Sequence, residues 1–251
     1  MQLFSSWTGS SFLLFYAALL GLATLAAWLI PVYLRRPGRR SDSPDAESLA
    51  LLAGGRERFV DVLLADLFLR GGLAAGEGGK LVVADPRLPA SPAGCALLAV
   101  DGPLTREQAR AVLAPHADRL LLRLRHSGLM LRPEEVSRLR WLSAAPLAVL
   151  LVMGFYCERA VSTLGEPTGL LIALMGLTAP IALIRIFAID PRTRAGIAEV
   201  AQRRTALEGL DGPPRADEVP MAVALLGTEV LVGTPWEAIH ALRQQGGSGS
   251  R

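Results

Sequence analysis

FLLFYAALLGLATLAAWLIPVYL, residues 12–34, contains no charged side chain, and its reading decides the fold class. An α-helix rises about 1.5 Å per residue and the hydrocarbon core of a bilayer is roughly 30 Å thick, so about 20 apolar residues suffice to cross it. Two further stretches meet the same requirement, Leu142–Leu164 and Thr168–Ile189. The pattern predicts a protein with three membrane spans. Phe12, Tyr16, Trp28 and Tyr33 fall toward the ends of the first span, where amphipathic rings are expected at headgroup level, and Pro31 near its exit is tolerable. A cleaved secretory signal is the competing reading. It is disfavoured because no basic segment precedes the apolar run, the run is too long, and the arginines follow it.

Basic residues give an orientation, since short loops rich in Lys and Arg stay on the cytoplasmic side. Arg35, Arg36, Arg39 and Arg40 follow the first span, whereas residues 1–11 carry no charge. Arg132, Arg138 and Arg140 precede the second span, and Arg192 and Arg194 follow the third. All three spans therefore agree on an outward amino terminus, an external turn at Gly165-Glu166-Pro167, and a carboxyl terminus inside. Arg35, Arg36, Arg39, Arg40, Arg192 and Arg194 are the topology determinants, and the expected location is a bacterial plasma (inner) membrane crossed several times.

The expected layout is a transmembrane helix at 1–34, a basic linker at 35–44, and a cytoplasmic domain at 45–140. A transmembrane hairpin at 141–189, a cytoplasmic helical tail at 190–245 and a disordered end at 246–251 complete it. Hydrophobic residues make up 51% of the chain, yet 20% charged residues leave substantial non-membrane mass. Of the 26 basic residues only Lys80 is lysine, an arginine bias that a GC-rich genome accounts for and that also suits phosphate recognition. The net charge of +3 is local: residues 41–140 balance 13 acidic against 13 basic side chains, so only the tether is cationic. Such a tether serves as a topology signal, and beside an anionic leaflet it also contacts lipid. Cys95 and Cys157 should not meet, and neither they nor His116, His126 and His240 show metal-ligand spacing.

Within the middle domain, Pro44 and Asp45 start a short helix that Gly54 and Gly55 stop. RERFVDVLLADLFLRGGL then places Phe59, Val60, Leu63, Leu64, Leu67 and Phe68 on one stripe, ended by Gly71 and Gly72. LAAGEGGKLVVAD reads as two short strands around a glycine-rich turn. Helix, helix and hairpin in this order predict a winged-helix-like α+β domain in a mainly α protein. Next, Thr105 and Gln108 have capping-box spacing, and Pro115 is placed to begin a further helix. ADRLLLRLRHSGLM echoes VDVLLADLFLRGGL, and Pro133-Glu134-Glu135 opens a helix that can run into the second span. In the tail, helices are expected over RTRAGIAEVAQRRTALEGL, over EVPMAVALLG, and from Thr234-Pro235-Trp236-Glu237.

These residues carry a resemblance. ESLALLAGGRERFVDVLLADLFLRGGL is similar to the LAxLAGGxxRxxxxALxxLxxRGxL stretch of a family of uncharacterised bacterial membrane proteins, the near-uncomplex family. FLLFY in the first span, Gly165-Glu166-Pro167 between the paired spans and Arg192-Thr193-Arg194-Ala195-Gly196 after them resemble the family layout too. The likeness covers most of residues 9–232 and is most specific at AGGRERF; the usual Gly/Cys-rich tail is absent from GGSGSR. It implies placement and architecture and supplies no catalytic residues.

No GxSxG, HExxH, P-loop or dinucleotide-binding glycine pattern occurs, so no catalytic residue, cofactor or metal is expected. The polar features at membrane depth are Glu158, Arg159 and Arg185. Intramembrane ionisable groups are functional candidates, although each of these lies close enough to a span end to anchor at the interface. In a winged helix that binds DNA, the recognition helix brings positive charge to phosphates, but here Arg56, Arg58 and Arg70 face Glu57, Asp61 and Asp66, which disfavours nucleic acid as a partner. The expected function is a non-enzymatic docking or scaffolding protein, with the bilayer and a protein partner or a second copy as partners. The alternatives are a membrane-tethered winged-helix regulator and an oligomeric transporter or membrane enzyme using Glu158.

Overall fold

The computed structural model describes residues 9–38, 44–76, 80–162, 169–209, 214–237 and 239–240. Arg39, Arg40, Glu77 to Gly79, the Gly165-Glu166-Pro167 turn and the 246–251 end lie outside the described residues. The elements are α1 (Gly9–Leu34), α2 (Ala46–Leu69), β1 (Leu73–Ala75), β2 (Leu81–Val83), α3 (Pro92–Leu98), α4 (Arg106–His126), α5 (Pro133–Ser162), α6 (Gly169–Phe187), α7 (Arg194–Glu208), α8 (Val219–Leu225) and a 3-10 turn, Thr228–Leu231. They form two compact units: Met1–Arg36 with Leu131–Pro191, and Pro37–Met130 with Arg192–Arg251.

The first unit is a three-helix unit of α1, α5 and α6, each of which contacts the other two. All three are long and apolar enough to cross a membrane, with mean hydropathies of 2.0, 1.6 and 2.2. On α1 Tyr16, Leu20, Ala23 and Ala27 are buried, and Pro31 follows them. Their 4-3-4 spacing makes a narrow seam, while Leu14, Leu22, Leu25 and Val32 point outward. α5 continues the pattern with Val136, Leu139, Ser143, Leu147 and Leu150, and α6 with Leu171, Thr178 and Arg185 at heptad spacing. An apolar exterior with small residues such as Ala23, Ala27 and Ala144 at the seam is the arrangement that suits helices packed in lipid.

α5 starts eight residues before the expected span boundary, because Pro133 opens it and Glu135 accepts a hydrogen bond from the Arg132 amide at 3.1 Å. It runs without interruption through Pro146. One aromatic departs from expectation. Tyr16, expected to face a headgroup layer, is buried among the helices at 1% exposure, where its phenol finds a carbonyl acceptor, as described below.

The second, mixed unit is built around α2. Asp45 caps α2 by accepting from the Ser48 amide at 3.2 Å. The helix is broken at Gly55, whose φ of 68° is open to glycine and costly for other residues. The two-glycine signal thus produces a kink between two helical pieces. The second piece is buried on nearly every side, with Phe59, Val60, Val62, Leu63, Ala65 and Leu67 at the core. It ends in a Schellman motif: the Gly72 amide donates to the Leu67 carbonyl at 2.8 Å and the Gly71 amide to Phe68 at 3.2 Å. α4 ends in the same way through Leu129 to Leu124, 3.0 Å, and Gly128 to Arg125, 3.2 Å. The echo between the two segments is therefore an echo of helix stops.

β1 and β2 pair antiparallel with Leu73 opposite Val83 and Ala75 opposite Leu81. A single bridge from Leu81 to Leu104 is all that extends this sheet among the described residues, so the sheet has two strands. α4 opens with the expected capping box: Thr105 accepts from the Gln108 amide at 3.3 Å, and Gln108 accepts from the Thr105 amide at 2.9 Å. Pro115 does not begin a new helix; it lies inside α4, on the exposed face where water can satisfy the carbonyl it leaves free.

The tail does not stand apart. α8 packs on α2, with Val219, Ala222 and Val223 at 0–1% exposure, because so apolar a segment must bury its face against another element. The Thr234 hydroxyl accepts from the Trp236 amide at 3.3 Å, and Glu237, Ile239 and His240 are helical, as expected of a helix begun here.

Candidate functional site

Of the polar groups expected at membrane depth, Arg185 is the one the structure buries, at 6% exposure. Its Nη2 donates to the Ala27 carbonyl of α1 at 2.9 Å, and its guanidinium lies 4.6 Å from the centre of the Trp28 ring. The choice of acceptor has a simple cause. In an α-helix the Ala27 carbonyl would accept from the amide of residue 31, but residue 31 is proline and has no N–H. Within lipid an unmet carbonyl is costly, and a neighbouring side chain that donates to it relieves part of that cost. Arg185 therefore completes the α1 backbone, and Pro31, buried on the same seam, leaves the acceptor facing α6. It packs inward against α1. The sequence held both halves of this signal: a proline four residues past Ala27, and an arginine on the Leu171–Thr178 heptad.

Glu158 and Arg159 are not brought to Arg185. α5 and α6 run antiparallel, and the sixteen residues from Gly169 to Arg185 span roughly 24 Å, which puts the two sets near opposite ends of the unit. Glu158 is half-buried, and Arg159 is exposed with its guanidinium 5.0 Å from the Phe155 ring centre.

A polar cluster that the sequence did not announce sits between them. The Tyr16 hydroxyl donates to the Leu150 carbonyl at 3.3 Å, and Thr178, fully buried, donates to the Leu174 carbonyl at 2.8 Å. Gly154 makes room for the phenol, since a Cβ there would stand 2.8 Å from the Tyr16 hydroxyl and 3.0 Å from Met175 Cγ. The only hint was a tyrosine set inside an apolar run and a glycine in LVMGFY. Each hydroxyl is engaged by a backbone carbonyl of the unit, which fits packing rather than chemistry.

The topology arginines do local work. In the three-helix unit, Arg35 donates to the Asp190 carbonyl at 3.4 Å, and Arg36 pairs with Glu135 at 2.7 Å. In the mixed unit, Arg192 donates to the Leu52 carbonyl at 3.4 Å, while Arg194 is exposed. Between them Thr193, 3% exposed, caps α7 by accepting from the Gly196 amide at 3.1 Å and donates to the Gly128 carbonyl at 2.8 Å. The Ala195 amide donates to the Pro37 carbonyl at 2.9 Å. Three separate segments, around Pro37, Leu129 and Thr193, are thus tied together within the mixed unit.

The arginines of α2 are turned onto partners of their own unit. Arg56 meets Asp118 at 2.5 Å, Arg70 meets Asp66 at 3.3 Å, and Arg58 donates to the Val223 carbonyl at 3.1 Å. Arg58 also closes against Gly227, whose φ of 107° and missing side chain let the guanidinium in. The most buried ion pair joins Arg106 to Asp61 at 2.8 Å, with Glu57 at 3.3 Å and Arg110 completing the group on Glu57. Beside it, a cavity of about 20 Å³ lined by Asp61, Leu64, Leu81, Leu104, Thr105, Arg106 and Ile239 has room for about one water. Among the described residues, no three His, Cys, Asp or Glu side chains converge as metal ligands. At the start of α2, burial raises the Glu47 carboxyl above its ordinary value; Ser91 opposes this by hydrogen bonding, while Asp45 and Asp66 add to it.

No family model, curated protein or solved structure matches the chain.

Proposed function

We propose that this chain is an integral protein of a bacterial plasma membrane, amino terminus out and carboxyl terminus in, whose mixed unit is a cytoplasmic docking or scaffolding module without enzymatic activity. The observation that carries this reading is the shared core: residues on both sides of the α5–α6 pair close one body through α2, α8 and the Arg58 clamp. Such a body, joined to three spans at three points of the chain, is a platform whose surface stays fixed while a partner binds. The α4 face offers one such surface, with Arg119, Arg123 and His126 around Leu122, which is 51% exposed.

Nucleic acid is a poor partner for this unit, since Arg56, Arg58 and Arg70 are engaged internally and the neighbouring charge is balanced. The β1–β2 hairpin and its Leu81–Leu104 bridge are as much of a wing as supports the winged-helix reading. The resemblance to the near-uncomplex family belongs to the same proposal. Gly55 at the α2 kink and Arg58 at the α8 clamp favour reading AGGRERF as an architectural signature.

A photo-crosslinking residue placed at Leu122 in the full chain tests the docking face in cells. An adduct with another protein is expected there, lost when Arg119 and Arg123 are reversed to glutamate, and none from the buried Leu113. No adduct from Pro115, Arg119, Leu122 or His126 would refute the docking role. Reporter fusions at Arg40 and Arg251 should both read cytoplasmic, and periplasmic signal from either would refute the orientation.

A further inference from the structure

α4 buries one side and leaves the other bare. Ala109, Leu113, Ala117 and Leu124 turn to the core, whereas Ala111, Pro115, Arg119, Leu122 and His126 are exposed and recur every three or four residues, so they share the opposite face. Arg123 stands one turn beyond Arg119 on its flank. Around the helix, exposed Leu122 lies between these two arginines on one side and the Arg56–Asp118 pair on the other.

The positive charge of this face is not met within the mixed unit. Arg119 and Arg123 are exposed and make no hydrogen bond or ion pair among the described residues. Nearby acids are already taken: Asp118 by Arg56, Glu57 of the packed helix α2 by Arg106 and Arg110, and Asp61 by Arg106. α3, which also packs on α4, contains no acid. Glu107, in the first turn of α4, lies about 18 Å from Arg119 along the axis. Arg123 and His126 belong to the last turn and answer the partial negative charge of the helix end, about half an elementary charge, so most of two guanidinium charges is left over. Like charges four residues apart also weaken a helix, a cost that an anionic partner removes.

We propose that this face docks an acidic helix of a partner protein, with carboxylates four residues apart opposite Arg119 and Arg123 and an apolar side chain against Leu122 and Pro115. The inference rests on the docking role given above and names the chemistry of the partner. α4 offers side chains but no open main-chain edge, so the partner must satisfy its own backbone, and a helix does so. Carboxylates four residues apart on that helix advance about 6 Å, as Arg119 and Arg123 do. Two guanidiniums beside an apolar anchor are too short a cationic track for nucleic acid, and a leucine beside a proline is too little apolar surface for a helix lying on a membrane. Exposed ion pairs contribute more to partner choice and approach than to grip, so the contact is reversible and weakens as salt rises.

The test uses the full chain in cells with an apolar photo-crosslinking residue at Leu122, and the segment attached to it is identified by mass spectrometry. A segment with Asp or Glu four residues apart is expected. Its adduct should fall on the order of ten-fold in the R119E/R123E variant and return when the two mapped carboxylates are replaced by lysine. That return also shows that the reversed chain is folded, and its failure overturns the charge pairing. A mapped protein segment without such acids, or an adduct undiminished in R119E/R123E, overturns the acidic helix and leaves the docking role standing. A lipid or a nucleotide in place of a protein segment overturns it as well. No adduct from any position on this face refutes the docking role itself, and this inference with it.

Discussion

Removing Arg185 should destabilise the three-helix unit, and by less once Pro31 is gone. In the unmodified chain, Arg185→Met deletes the 2.9 Å hydrogen bond to Ala27 and the cation–π contact with Trp28, leaving the Ala27 carbonyl without either its helical or its interhelical donor. A polar contact between spans is worth about 0.6 kcal/mol on average and up to about 1.7, and a partly desolvated cation–π contact adds about 1. Relief of a buried charge opposes both, so Arg185→Met should cost about 1–2 kcal/mol net. Pro31→Ala restores an amide to the Ala27 carbonyl, and from that background Arg185→Met should cost about 1 kcal/mol less, roughly a five-fold change in the unfolding constant. The assay is a double-mutant cycle measured by reversible unfolding in mixed micelles. Equal costs of Arg185→Met in both backgrounds would show that the arginine does not serve the carbonyl freed by the proline, and the reasoning would fail.

Gly154→Ala should cost about 1–3 kcal/mol in the same micelle assay, because the new methyl meets the Tyr16 hydroxyl and Met175, and Tyr16→Phe should recover part of the loss. Gly196→Ala should be more damaging, since its Cβ would press on the Leu129 carbonyl, a backbone atom that cannot swing away. Loss of the α7 cap by limited proteolysis, at about 3 kcal/mol or more, would check it. Glu47→Gln should raise the melting temperature at neutral pH and flatten its pH dependence. A carboxyl raised by burial favours the folded chain when protonated, so stability falls as pH climbs from the ordinary glutamate value through the raised one, and an unchanged profile would contradict the burial. Truncation after Pro191 should leave residues 44–130 without a cooperative fold. Val219, Val223, Leu225 and Leu231 are each worth about 1.5–3 kcal/mol when buried, together comparable with the roughly 5–15 kcal/mol that holds a domain; a sharp thermal transition in the truncated chain would refute the shared core.

The three long apolar helices were legible because crossing lipid demands one property, apolar length, that a sequence displays directly. Caps were legible for a similar reason. Asp45, Thr105 with Gln108, and Thr193 act on amides within three residues, so spacing alone locates them. What could not be read was which distant segments meet. EVPMAVALLG shows that a helix must bury its face and does not name α2 as the face it covers. Arg185 was visible as an intramembrane charge, yet its role depends on the rotation of α6 relative to α1, which no local pattern fixes. The burial of Tyr16 was hidden for the same reason: its acceptor, the Leu150 carbonyl, and the gap at Gly154 lie on another helix.

The two units answer the cost of unmet backbone groups by different means, and the difference bears on where activity could reside. In the three-helix unit Arg185 and Tyr16 meet backbone carbonyls across helices, while Thr178 meets the Leu174 carbonyl of its own helix, so these polar groups are engaged in assembly. In the mixed unit the segments around Pro37, Leu129 and Thr193 are joined by main-chain and threonine bonds, and the buried Asp61 is held by Arg106. A side chain whose polar atoms are spent on holding its own fold is poorly placed to bind a substrate. Side chains that face outward, Arg119 and Arg123 on α4 among them, are not spent in this way. Outward arginines can meet acidic groups of another molecule, which is why the proposed docking role is placed on the surface.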